Sequence, residues 1–292
     1  MIDETWLRPT LVRALSEPWG WAHTLTRACI DLIKRDRDIA ECMARAIEAY
    51  PQPLPEQTLF GSNGLATLAA DPLLSTLLDA GPVCDVAMER FLTMARRTLL
   101  DAAGAMSGTS DGIGFYGALA RQCFINEYVF AATADEVRKA SCSRDLLSTT
   151  LETNAPVPVL LLVAVAAYFP LHSFPLSPRL LERSWPEEIA SLLTQQVIEP
   201  AEERRISATI AQLTDIEDAV SVLVRGQYEE YPYPRWVKLP PSRAADNVEA
   251  YLRQAFPLAS FDRSSASGRM EILVAGCGTG QQSIRAAQQF PT

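Results

Sequence analysis

Residues 271–283 read EILVAGCGTGQQS. Together with Met270, the residues up to Ala275 make a short apolar run suited to a buried parallel strand. Gly276, Gly278 and Gly280 follow at alternate positions, where they let the backbone turn sharply and let a ligand lie against main-chain atoms. A helix is expected to enter at about Thr279, so the segment reads as the opening strand–loop–helix of a Rossmann-like α/β domain.

The helix beyond the loop would present free N–H groups and a partial positive charge, which suits a carboxylate or a phosphate. Spacing narrows the ligand. The dinucleotide fingerprint is GxGxxG, whereas Gly276, Gly278 and Gly280 make GxGxG and Gln281 stands where the last dinucleotide glycine belongs. The ATP loop GxxxxGK[ST] is absent from the chain.

These residues resemble the first motif of class I S-adenosylmethionine-dependent methyltransferases, an apolar strand ending in Gly-Cys-Gly-Thr-Gly. The resemblance implies that Ala275, Gly276, Cys277, Gly278, Thr279, Gly280 and Gln281 wrap the methionine part of S-adenosyl-L-methionine. Many members carry an acidic residue two positions before the first glycine, and here that position is Val274. A tight strand-to-helix turn that binds nothing would need the same glycines.

Upstream, residues 225–241 read RGQYEEYPYPRWVKLPP, a stretch in which Pro232 and Pro234 each remove a donor and disfavour helix at the residue before. This is read as a domain junction. A helix is expected over 242–256 and a polar loop over 257–268. The run QYEEYPYPRW is similar to a segment ahead of the catalytic domain in a group of bacterial methyltransferases, many with N-terminal tetratricopeptide-like or other helical regions. The run ALARQCFINEYVF, 118–130, is similar to a helix of the same proteins. Tyr228, Tyr231, Tyr233 and Trp236 form either a wall over a bound ligand or an aromatic cluster pinning the linker. Arg121, Asn126 and Glu127 are read as capped or paired polar groups.

From the N-terminus to residue 224, apolar residues recur at three- and four-residue spacing with Pro, Gly or Asn between segments. The pattern predicts helices over 21–34, 36–50, 85–103, 115–132, 135–151, 159–169, 186–198 and 200–224. Two short helices fall within 61–79, with Asp71-Pro72 as N-cap and first turn. Residues 104–114 read as a loop. About ten helices and almost no strand alternation make an irregular all-α region, with no repeat of fixed signature.

Composition sets limits on function. The 292 residues carry a net charge of −9, which argues against a general binder of nucleic-acid backbone. Six cysteines without a CxxC pair and two histidines, His23 and His172, remote from one another, give no zinc-ligand spacing. No secretory signal is read at the start, and a cytoplasmic location is expected. The uncharged stretch 155–178 is broken by prolines. Its unbroken part, 159–169, would rise only about 16 Å as a helix against a hydrocarbon core of about 30 Å, so no membrane association is expected.

The expectation is therefore an all-helical domain over 1–224, a Pro/aromatic linker with a connecting helix over 225–268, and the start of a Rossmann-like methyltransferase domain over 269–292. Since the chain stops where a second strand would follow, it reads as the N-terminal portion of a longer enzyme. The methyl acceptor is open among protein, peptide and small molecule. The alternative is a non-enzymatic helical interaction module with a vestigial nucleotide-binding segment.

Overall fold

The computed structural model describes residues 6–105, 112–210, 218–230, 235–242, 244–245, 248–259 and 272–290. The protein is mainly α-helical, and no strand occurs among the described residues. The chain forms two compact units, residues 1–16 with 22–215, and residues 17–21 with 216–292.

The first unit holds α1 (Leu7–Ser16), α2 (Ala22–Ile33), α3 (Arg37–Ala49), α4 (Glu56–Phe60), α5 (Gly64–Ala70), α6 (Pro72–Ala80) and α7 (Val86–Ala105). It continues with α8 (Ile113–Ile125), α9 (Ala134–Glu152), α10 (Val159–Ala166), α11 (Pro178–Leu181), α12 (Glu187–Leu193) and α13 (Glu199–Ser207). Local chemistry sets several starts. Asp36 caps α3 by accepting from the N–H groups of Asp38 and Ile39. Asp71 does the same for α6 through Leu73 and Leu74, with Pro72 in the first turn as expected. Thr133 and Glu136 form a reciprocal capping box at the start of α9.

The core is built around α8, which is buried from Phe115 through Ile125, as a helix enclosed on all sides must be. Helices α5, α6, α7, α10 and α12 pack around it. Phe60, Phe91, Phe115 and Tyr116 meet there with ring centroids about 6 Å apart, mostly edge to face. Two fully buried glutamines bind the surrounding backbone. Gln122 donates to the carbonyls of Leu78 and Gly81 and accepts from the N–H of Val83, so it closes the end of α6. Gln196 donates to Ala120 and Ala166 and accepts from Leu171.

Several boundaries differ from the sequence reading. The loop expected over 104–114 is partly helix, since α7 continues through Gly104 to Ala105; residues 106–111 lie outside the described residues. A single glycine near a helix end costs only about 1 kcal/mol against alanine, which does not terminate a long, well-packed helix. The helix expected to run to residue 132 ends at Ile125, and Glu127 and Tyr128 take left-handed backbone conformations with φ of 56° and 57°. The tertiary structure overrides the apolar pattern there, because Phe130 is buried and Arg96 binds the carbonyls of Phe130 and Ala131.

Between α12 and α13 the chain makes a π-helical turn, Thr194–Ile198, which ends two residues before Pro200. Pro200 has no N–H to return to the carbonyl four residues back, and the wider turn absorbs that gap. The single helix expected over 200–224 is instead two. Helix α13 stops at Ser207 and tightens through i→i+3 bonds at Thr209 and Ile210.

The second unit contains α14 (Ala219–Glu230), α15 (Val248–Ala255) and α16 (Gln281–Gln289). Asp218 starts α14 by accepting from the N–H and hydroxyl of Ser221. This helix runs through Arg225 to Glu230, beyond which residues 231–234 lie outside the described residues. Tyr251 packs edge to face on Phe290 at 5.3 Å, and the N–H of Ala245 bonds the carbonyl of Gln289, which joins α15 to α16. Among the described residues, no helix of either unit is long and apolar enough to cross a membrane.

Candidate functional site

The glycine-rich segment adopts an open turn rather than a strand-bounded one. Residues 272–274 are not paired in a ladder, and Leu273 is 94% exposed. The strand expected there therefore does not form among the described residues. A strand is held by hydrogen bonds to a neighbour, and the described residues offer none. Met270 and Glu271 lie outside the described residues.

The three glycines all take left-handed backbone conformations: φ is 64° at Gly276, 52° at Gly278 and 80° at Gly280. Those values explain why glycine stands at each alternate position, because any L side chain would be strained there. A Cβ added at any of the three would meet nothing within 4 Å, so the space beside the main chain is open. The N–H of Gly280 closes a turn onto the carbonyl of Cys277 at 3.0 Å.

Gly280 is also the N-cap of α16, which begins at Gln281, two residues later than the sequence indicated. Without a side chain, it leaves the first turn of this nine-residue helix with no side-chain cap. Ala275, Gly276, Cys277 and Gly278 are exposed; Thr279, Gly280 and Gln281 are half-buried. Trp236 reaches this turn, its indole N–H donating to the hydroxyl of Thr279 at 3.1 Å and to its carbonyl at 3.3 Å. Of the other linker aromatics, Tyr228 is 64% exposed, and Tyr231 and Tyr233 lie outside the described residues.

In the same unit, burial lowers the pKa of Lys238, with the charge of Glu17 acting against that shift. The Arg285 guanidinium sits 5.9 Å from the centre of the Trp21 ring. Among the described residues, no group of His, Cys, Asp and Glu is placed to hold a metal ion.

The first unit contains a polar cluster of a different kind. Arg96 of α7 and Glu136 of α9 form an ion pair inside the core at 3.1 Å. The Tyr168 hydroxyl donates to the same carboxylate oxygen, and the Arg96 guanidinium lies 4.3 Å from the Tyr168 ring centre. Burial raises the Tyr168 hydroxyl well above the ordinary tyrosine range. It also pushes the neighbouring Cys123 thiol up to about 12, against the pull of Arg96. A thiol and a phenol held protonated in this way are not nucleophiles at neutral pH.

The cluster was not singled out from sequence. Its only trace there is an arginine on the apolar face that carries Phe91, Ala95 and Leu99. Arg121, by contrast, is paired as its sequence setting predicts, through a two-pronged bond with Asp79 at 2.8 and 2.9 Å. Asn126 stands at the C-cap of α8 through its backbone N–H alone; its side-chain Oδ1 is buried without a hydrogen-bond partner among the described residues, so it is not the paired group expected.

Beside the buried pair lies a cavity of about 120 Å³ lined by Tyr50, Pro51, Met94, Arg97, Thr133 and Glu136, among others. Comparison with protein-family models, with curated proteins and with solved structures finds no match to this chain.

Proposed function

We propose that residues 275–281 are the cofactor loop of an S-adenosyl-L-methionine-dependent methyltransferase, to which this chain contributes the N-terminal portion. The carrying observation is the conformation of the loop: three alternate glycines in left-handed geometry lead into a helix whose first turn has no side-chain cap. That arrangement fits the methionine end of the cofactor. Open space beside Gly276, Gly278 and Gly280 admits a ligand against the main chain, and the first-turn N–H groups of α16 suit its carboxylate.

The bond from Trp236 to Thr279 supports the reading from a second direction. It ties the QYEEYPYPRW run to the glycine loop, and both carry the family resemblance. When bound, the cofactor supplies an electrophilic methyl group on a sulfonium, and alignment with the acceptor governs the rate of such an in-line displacement. The large helical unit is assigned the recruitment of substrate or of a protein partner.

A second reading, a non-enzymatic helical interaction module, draws on the absence of a paired strand at residues 272–274 and on Val274 in place of an acidic residue. Calorimetric titration of the full-length protein with S-adenosylmethionine separates the two. Saturable binding that is lost in Gly278→Arg, with the helical content unchanged, supports the methyltransferase. No heat of binding in the wild-type protein favours the interaction module.

A further inference from the structure

The cavity in the first unit is independent of the glycine loop and has a chemistry of its own. One wall is a stripe of α7 in which Arg90, Thr93, Met94 and Arg97 follow at helical spacing. Thr93, Met94 and Arg97 line the cavity directly, and the Arg90 guanidinium lies 5.1 Å from the ring centre of Tyr50, another lining residue. The lining also includes Pro51 and the segment Ala131–Ala132–Thr133 that leads into α9.

Among the described residues, the only acidic side chain in the lining is Glu136, and its charge is already matched. One carboxylate oxygen accepts from Arg96 and Tyr168, and the other from the N–H of Thr133. Asp135, in the first turn of α9, is taken up by Arg138 and Lys139. Arg97 is half-buried, and it has no ion pair or hydrogen bond among the described residues. In a chain of net charge −9, this leaves a local excess of positive charge on a mostly apolar cavity.

With Glu136 already engaged, the half-buried Arg97 guanidinium keeps its donors free for an anion, and Arg binds carboxylates through a planar fork of such donors. Size restricts the ligand. The volume of about 120 Å³ is several times the roughly 10–15 Å³ that one water needs. It is well below the roughly 300–1,000 Å³ of pockets for drug-sized molecules. We propose that the cavity binds a short aliphatic monocarboxylate, the acid group on Arg97 and the alkyl chain against Pro51, Met94, Ala131 and Ala132. Such a group arrives either as a free short-chain acid or as the end of a longer acyl or peptide chain.

The test uses the full chain, pentanoate as probe, and saturation-transfer NMR with calorimetry. Wild-type protein binds pentanoate saturably and does not bind butylamine, which carries the opposite charge. Arg97→Ala weakens binding at least tenfold, whereas Arg97→Lys keeps the charge and loses less. Ala132 is exposed, so Ala132→Phe fills the cavity mouth without disturbing the core and blocks the probe. A longer acid such as octanoate competing with pentanoate identifies the end of a chain as the occupant, and failure to compete identifies a free short acid. The proposal is overturned by non-saturable binding of pentanoate, by equal binding of butylamine, or by affinity unchanged in Arg97→Ala at unchanged thermal stability.

Discussion

Arg96 Nη2 lies 3.1 Å from Glu136 Oε1, with the two side chains only 2% and 3% exposed. Arg96 also donates to the carbonyls of Phe130 and Ala131, so the pair fixes the chain between α8 and α9 as well as joining α7 to α9. Glu136→Gln keeps an acceptor but leaves a buried guanidinium without its counter-charge. It is expected to destabilise the protein by about 3–5 kcal/mol. Replacing both residues with apolar ones of similar volume costs less than either single change. Urea unfolding of Arg96→Met, Glu136→Leu and the double variant carrying both measures the difference, and additive losses would show that the pair is not coupled.

Alkaline pH offers a second handle on the same core. Burial raises Cys29 from 9.0 to about 11 and Cys123 from 9.0 to about 12, and lifts the hydroxyls of Tyr116 and Tyr168 beyond the ordinary tyrosine range. Each group keeps its proton in the folded chain at a pH where the unfolded chain has released it. Stability from these groups is therefore fully present below about pH 9 and is lost as pH rises through their folded values. Urea midpoints taken from about pH 8 to about pH 11 are expected to fall steadily. Tyr168→Phe makes the fall shallower, although it costs about 1.5–3 kcal/mol at neutral pH through the lost bond to the Glu136 carboxylate. A midpoint flat across the range would contradict this account.

The difference between what sequence revealed and what it concealed follows the range of the forces. Asp71-Pro72 was legible as a helix start because a cap is made by residues two and three positions away. The alternate glycines at 276, 278 and 280 were legible because backbone geometry is a property of each residue, and all three have positive φ. The strand before them was not secured by its apolar character, because a strand exists only through a second strand. Arg96 and Glu136 stand forty residues apart, and nothing local marks them as partners. The cavity beside them depends on Pro51, Arg97 and Thr133 converging from three segments, which no spacing rule encodes.

Gln122 provides a prediction about a single buried amide. Its side chain satisfies two carbonyls and one N–H at the end of α6, with no exposure to solvent. Gln122→Leu preserves volume approximately and strands all three backbone groups, so a loss of about 2–4 kcal/mol is expected. Gln122→Glu keeps the acceptor for Val83 but turns two donors into repulsive contacts and buries a charge. The glutamate variant is therefore the less stable of the two at neutral pH and recovers as the carboxyl is protonated. Thermal unfolding at neutral and acidic pH distinguishes these effects.

Among the described glycines of the first unit, the tightest is Gly64, where α5 begins. An added Cβ would fall on Cys42 Sγ, an atom held in place by contacts to the Phe60 carbonyl at 3.6 Å and the Arg45 guanidinium at 3.3 Å. Gly64→Ala is thus an overpacking change, expected to cost about 1–3 kcal/mol even though alanine is the better helix former. Shortening the obstacle tests the cause. Cys42→Ala removes the sulfur and by itself leaves a small void, so each single variant is less stable than the parent. In the double variant the new methyl occupies the space the sulfur left, and the two losses partly cancel. A favourable coupling of about 1 kcal/mol or more in a double-mutant cycle is expected, because the residues are in contact. Strict additivity would mean that Gly64 is required by the backbone and not by Cys42.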